Sequence, residues 1–310
     1  MNFFGQYTIS AFVFLCPLLL HGQESESLEQ IKLAAGMLIP ATTSMTTAWD
    51  IPRDPLSDSS LDATPDGEAI RLGYKIFTNT KEEAPGITGN FVSCGNCHLN
   101  AGQRDKALPL VGVAGVFPEY NKRAGRMFSL EDRIVGCFLR SENSTDSPEK
   151  MVDSKEVRAL ASYITWLGTD YPKGSSLPWR GLNVIENENR LPLDRLDKKR
   201  GEELFVLNCS NCHGTDGQGV QIGDKKAGPL WGPSSWNDGA GASRIYTLAG
   251  FIRYAMPYLN PGVLTDEEAQ HIAFYINSQA RPTFMHKADD YRTEPIPPDA
   301  VYYRKTRAEK

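Results

Sequence analysis

The chain has 310 residues, of which 40% are hydrophobic and 23% charged, enough apolar material for one or two buried cores. A net charge of −5 at pH 7 argues against nucleic acid as a partner. These figures describe a globular protein, and past residue 22 no segment is long and apolar enough to span a bilayer.

Residues 1–22 carry no Asp, Glu, Lys or Arg, and Ile9 to Leu20 is an apolar run. The run is too short to span a bilayer and reads as a cleaved secretory signal, with a retained anchor as the alternative. Export implies a periplasmic protein without an integral membrane segment after signal removal. Residues 23–64 read as an N-terminal extension.

Two halves then follow one plan. The first, residues 65–168, opens with a predicted helix from Asp66 to Phe77, where Ile70, Tyr74 and Phe77 recur at helical spacing. Cys94-Gly95-Asn96-Cys97-His98 comes next, a Cys-x-x-Cys-His motif of the kind that attaches haem c covalently. A helix is predicted over Ser129 to Ser141, with Leu130, Ile134, Cys137 and Phe138 as its apolar stripe. Another runs from Ser154 to Leu167 and stops at Gly168. Residues 169–193, rich in Pro, Gly, Ser and Asn, read as a linker able to wrap over a domain.

The second half, residues 194–282, repeats the order. A helix is predicted from Asp194 to Leu207, and the motif Cys209-Ser210-Asn211-Cys212-His213 follows. An apolar stretch lies at Leu248 to Ile252, and a capped helix runs from Thr265 to Asn277. Gly73-x-x-x-Phe77 matches Gly201-x-x-x-Phe205, a spacing suited to close helix packing. Residues 283–310 read as a polar tail, and both termini are expected to be loosely held. The fold class is therefore all-α: two tandem class I cytochrome c-like helical domains, each with one covalently bound haem c and its iron.

His98 and His213 are the expected proximal iron ligands, with Cys94, Cys97, Cys209 and Cys212 as attachment points. Zinc would need further ligands at each site, and the remaining cysteines do not supply them. In cytochromes c the ligating His donates its free ring N–H to a backbone carbonyl. Pro109 and Pro229, in the Pro-Leu pair after each motif, resemble the residues that supply it. For the second haem, Met256, 44 residues after Cys212, is placed as a thioether ligand, with a packing methionine as the alternative. His271 reads as a helix residue rather than a ligand.

Four of the six cysteines belong to the motifs and Cys16 to the signal, which leaves Cys137. It lies 40 residues after Cys97, where a small cytochrome c places its second axial ligand. A thiolate on haem iron gives a low-potential, sulfur-reactive centre. Met127 and Met151 are the competitors, and a buried structural thiol is the bland alternative. Arg133, Cys137 and Ser141 stand four residues apart and share a helix face. Arg123 lies upstream in a stretch, Arg104 to Arg140, that holds seven basic and four acidic residues. The arginines suit an anion held against the sulfur, or equally a haem propionate or surface ion pairs.

The stretch Cys94 to Ser141 resembles the thiosulfate dehydrogenases, dihaem c-type cytochromes that couple two thiosulfates into tetrathionate. It does so through Leu99-Asn100-Ala101-Gly102, Ala107 to Val113, Leu130 to Ile134 and Gly136-Cys137-Phe138-x-Arg140-Ser141. The likeness extends more loosely over residues 65–280. It implies a His98/Cys137 pair on a catalytic haem, a substrate site of Arg123, Arg133 and Ser141, and an exit haem on His213 and Met256. The implied partners are thiosulfate or tetrathionate and a small electron-transfer protein, a cytochrome c or a high-potential iron–sulfur protein. Two departures stand out. Ala255 replaces the lysine that some members carry beside the methionine, and Glu142-Asn143-Ser144 replaces Met-Asn-Gly after the serine. A carboxylate at 142 is expected to disfavour an anion nearby. The rival functions are a non-enzymatic dihaem electron carrier and a sulfur-oxidising cytochrome subunit that acts with a carrier protein.

Overall fold

The computed structural model describes residues 51–303, apart from 172, 175 and 224. The signal segment, residues 23–50 of the extension and residues 304–310 of the tail lie outside the described residues.

Helices build the first half: α1 (Gly67–Thr78), α2 (Leu130–Arg140) and α3 (Lys155–Leu167). Ahead of α2, Glu119–Asn121 (β1) and Arg126–Phe128 (β2) pair antiparallel as a small hairpin. The second half repeats the pattern with α4 (Lys198–Asn208), α5 (Ile245–Ala255) and α6 (Asp266–Asn277), and a short antiparallel hairpin of Gln221–Ile222 (β3) and Lys225–Lys226 (β4). The molecule is thus two helical cytochrome c domains.

Caps place the helix starts. Ser129 and Asp132 form a reciprocal capping box on α2, with Asp132 N to Ser129 Oγ at 3.1 Å and Ser129 N to Asp132 Oδ2 at 3.0 Å. Helix α4 begins four residues later than its periodicity predicts. Asp197 accepts from the backbone of Lys199 (2.8 Å) and Arg200 (3.1 Å), while Leu193–Arg195 forms a separate 3₁₀ turn.

The two domain cores repeat each other atom for atom at one crossing. A Cβ at Gly73 would run into the carbonyl oxygen of Ala159 and meet Tyr163 Cβ at 2.8 Å. A Cβ at Gly201 would run into the carbonyl oxygen of His271 and meet Tyr275 Cβ at 2.8 Å. Phe77 packs on Tyr163 (5.5 Å between centroids) as Phe205 packs on Tyr275 (5.5 Å). The glycine lets α1 lie directly against α3, and α4 against α6, and the aromatic four residues on seals each crossing.

The described parts of the extension and of the tail are packed rather than loose. Residues 51–64 pack on the first domain: Arg53 lies 4.0 Å over the Trp166 ring and donates to the Trp166 carbonyl at 2.8 Å. Residues 283–303 are a strap rather than a loose tail, with Phe284, Asp290, Tyr291, Asp299, Ala300 and Tyr303 all buried. Its aromatic residues bury enough apolar area to hold it, which a count of its polar residues does not reveal. Residues 169–193 contact both domains. Trp179 is buried and donates to the Val111 carbonyl at 3.0 Å, and Ile185 enters the core of the second domain.

Candidate functional site

Each Cys-x-x-Cys-His motif forms one short helical turn, Cys94–Cys97 and Ser210–His213, packed beneath its glycine-bearing helix. His98 Nδ1 lies 2.6 Å from the Leu108 carbonyl oxygen. Leu108 has a left-handed backbone, φ 53°, which aims that carbonyl back at the ring. The acceptor is therefore the residue before Pro109, not the proline itself. Burial pushes the His98 pKa down to about 4, against the pull of the Leu108 carbonyl, and the Arg133 charge pushes the same way as burial. The ring is held neutral, as a metal ligand must be.

Burial also lowers His213, opposed by the Gly228 carbonyl, again the residue before the proline. That carbonyl falls short of hydrogen-bond geometry, so His213 Nδ1 is buried without a partner among the described residues. Burial raises Cys94 well above its ordinary value and pushes Cys97 and Cys209 up to about 12, with Glu142 adding to the first two.

Cys137 lies on the edge of α2, half-buried, beside the core face of Ile134, Val135, Phe138 and Leu139. Arg133, one turn earlier and exposed, donates from Nη1 to Cys137 Sγ at 3.1 Å. Cys137 is close enough to act on the titration of both Cys94 and Cys97, and Arg133 on that of His98. Cys94, Cys97, His98, Arg133 and Cys137 thus form one cluster. Met127 is 52% exposed on β2, and Met151 is buried in the core with Leu160 and Phe138. Ser141 caps α2. Its N–H donates to the Cys137 carbonyl at 2.7 Å, and its own carbonyl accepts from Asn90 Nδ2 at 2.7 Å.

Arg123 stands elsewhere. It sits in the hairpin turn between β1 and β2, and Nη1 donates to the Gly239 carbonyl of the second domain. Its guanidinium lies 5.7 Å over the Tyr291 ring, and its own carbonyl accepts from Tyr291 N–H at 2.8 Å. The strap residue Asp290 takes Arg140 bidentately, with both contacts at 2.7 Å, and accepts from Tyr303 Oη. Arg140 also donates to the Gly239 carbonyl at 3.0 Å. Sequence reasoning missed this group. The clustered Tyr291, Tyr302 and Tyr303 were the available signal, because aromatic residues rarely serve a loose tail.

Met256 caps the C-terminus of α5 and packs, with Phe251, Ala255 and Tyr258, against Leu99 and Ala107 of the first domain. His271 is buried, and its Nδ1 accepts from Asp197 N–H at 3.0 Å, a helix residue as expected.

Haem c fits both sites. Each has paired thiols and a buried neutral imidazole on one turn. In the second domain two buried donors, Arg281 Nη1 and Trp236 Nε1, have no partner among the described residues. The Arg281 guanidinium lies 4.9 Å over the Trp236 ring, so both donors are suited to a haem propionate carboxylate. Among the described residues no group of three His, Cys, Asp or Glu could hold a metal ion alone.

Residues 83–172 match the model of the SoxA/TsdA cytochrome c domain, and residues 197–276 that of cytochrome c oxidase, cbb3-type, subunit III. A thiosulfate dehydrogenase of Allochromatium vinosum is 35% identical, over 83% of this chain and 93% of that one. One from Stutzerimonas stutzeri is 37% identical, over 74% and 72%. The chain belongs to the thiosulfate dehydrogenase family. The solved thiosulfate dehydrogenase TsdBA from Marichromatium purpuratum, in its "as isolated" form, superimposes with a TM-score of 0.67 at 33% identity. That match covers 78% of this chain and 53% of the other, so the chain spans about half its length. As a member of the thiosulfate dehydrogenase family the protein is an oxidoreductase, and its two cytochrome c domains each carry one covalently bound haem c. Among the described residues no helix is long and apolar enough to cross a membrane.

Proposed function

We propose that the protein couples two thiosulfate ions oxidatively into tetrathionate at the Cys137 cluster. The observation that carries the reading is the 3.1 Å donation from Arg133 Nη1 to Cys137 Sγ. That contact sets a guanidinium, both cation and directional donor, against the one thiol among the described residues outside the attachment motifs. The planar fork has further donors for the oxygens of a sulfonate, which seats the terminal sulfur of thiosulfate against Sγ.

The Cys137 thiolate and the terminal sulfur of one thiosulfate form a sulfur–sulfur bond with loss of two electrons. A second thiosulfate attacks the outer sulfur of that adduct. Tetrathionate leaves, and Cys137 departs as the thiolate with which the cycle began. When bound, haem c would supply one-electron acceptance, and two such groups would match the electron pair; the external acceptor in this reading is a small cytochrome c or a high-potential iron–sulfur protein. His98 and Cys137 would hold the first iron, and His213 and Met256 the second. In this reading Ser141 borders the site one turn beyond Cys137, and Arg123, seated apart against Gly239 and Tyr291, is its second piece. The same steps in reverse reduce tetrathionate. A plain electron carrier gives the Arg133–Cys137 contact no task. The apolar run from Ile9 to Leu20 supports export, with the reaction carried out in the periplasm.

The test is thiosulfate-dependent reduction of ferricyanide by the haem-loaded protein with tetrathionate measured as product. One tetrathionate per two electrons is expected, and Cys137→Gly is expected to abolish turnover with both haems still attached. Turnover retained in that variant would refute the nucleophile role.

A further inference from the structure

Arg104 is among the largest side chains that the fold buries completely, at 0% exposure. Taking a cation wholly out of water costs several kcal/mol before its partners offset that. A surface residue would not be placed so, and its partners indicate what the burial achieves. Arg104 lies in the loop of the first domain that runs from His98 to Leu108. Its guanidinium stacks 4.5 Å over the ring of Tyr258, in the second domain, and Nη2 donates to the Tyr258 carbonyl at 2.8 Å. Tyr258 Oη in turn donates to Asn100 Oδ1 at 2.7 Å, back in the first domain. Tyr258 stands two residues beyond Met256. Between these anchors Leu99 and Ala107 pack against Ala255, Phe251 and Met256. The loop that fixes the proximal histidine of one haem therefore grips, by a stack, two hydrogen bonds and an apolar contact, the segment that carries Met256.

We propose that Arg104 is a positioning residue for the second haem: it holds the Met256 segment in place, and its fixed charge raises the potential of the haem which that segment serves. The inference rests on the reading of Met256 as that iron's ligand. An iron that gains an electron loses one unit of positive charge, so a nearby cation stabilises the reduced state. The effect is larger where water is excluded. Arginine suits the task because its charge survives burial and its flat fork can stack and donate together. Ala255 beside Met256 carries no charge, and Arg104 brings a buried one to this segment from the other domain. One residue of the catalytic half thereby sets how readily the other half accepts an electron.

The test is spectroelectrochemical titration of the dihaem protein, wild type against Arg104→Gln and Arg104→Lys, with the far-red band of methionine-ligated ferric haem followed alongside. Arg104→Gln is expected to shift the midpoint of the second haem downward, leave that of the first in place, and diminish the band. Arg104→Lys keeps the charge and loses the fork. It is expected to hold the midpoint near the wild-type value and still diminish the band, so it tests the positioning role should the glutamine variant not fold. A wild-type band that persists undiminished in both variants, with an unchanged second midpoint, overturns the proposal. A wild type without the band refutes Met256 as ligand, and the proposal falls with it.

Discussion

A carboxyl group at Glu142 is sealed at 1% exposure, with Oε1 3.9 Å from Cys94 Sγ and Oε2 without a partner among the described residues. Burial raises its pKa well above the carboxylate range, which favours the uncharged acid. From the sequence, this residue looked like a threat to anion binding. Two observations weigh against that: the side chain faces the haem-attachment thiol rather than the exposed Arg133, and burial disfavours its charged form. Glu142→Gln keeps its size and is expected to leave the KM for thiosulfate within about twofold, since an uncharged acid and an amide differ by no fixed charge. Steady-state kinetics of the variant check this. A KM lowered severalfold would show that the native group is ionised and repels the substrate. The contrast with Arg133 is one of exposure, because a charge that acts on a substrate must be reachable and Arg133 is.

At the scale of elements, the strap of residues 283–303 is fastened to both pieces of the proposed substrate site. Asp290 binds Arg140 at the end of α2, the helix that carries Arg133 and Cys137. Tyr291 binds the backbone of Arg123 in the hairpin turn, and a Cβ at Gly125 would meet Thr293 Oγ1 at 2.7 Å. The Arg140–Asp290 pair is largely buried, with side chains 18% and 3% exposed. Removing one member of such a pair leaves the other charge stranded at a cost of about 3–5 kcal/mol. Asp290→Ala is therefore expected to lower the unfolding free energy by an amount of that order, and to raise the KM for thiosulfate more than it lowers kcat. Denaturant unfolding and steady-state kinetics measure the two effects. A stable variant with unchanged KM would separate the strap from the substrate site. Much of α2 was legible beforehand, because its capping box and apolar period are local. The strap was not, since its partners lie about 150 residues away in the chain.

For the whole molecule, the two domains share contacts well beyond their linker. Asn237 Nδ2 donates to the Leu139 carbonyl at 2.8 Å, Asn90 Nδ2 to the Ser235 carbonyl at 3.0 Å, and Arg104 reaches Tyr258. The linker and the strap cross the boundary as well. With buried polar groups paired across it, neither half can unfold without exposing unsatisfied donors or acceptors in the other. One calorimetric transition is expected for the dihaem protein rather than two. Two well-separated transitions would show that the boundary contacts contribute little.

What the sequence determined by itself was whatever is written in short-range spacing. That covers the Cys-x-x-Cys-His motifs, the helix periods and caps, and the Gly-x-x-x-Phe repeat whose close packing the structure bears out. It also covers the alignment of Arg133 with Cys137 one turn apart on α2. These rest on covalent distance and helical geometry, which the chain carries locally. Only the tertiary structure decided the burial of Glu142 and Arg104, the seat of Arg123 against Gly239 and Tyr291, and the fastening of the strap. Burial and partnership of that kind depend on which distant segments close over a side chain, and local spacing holds no record of it.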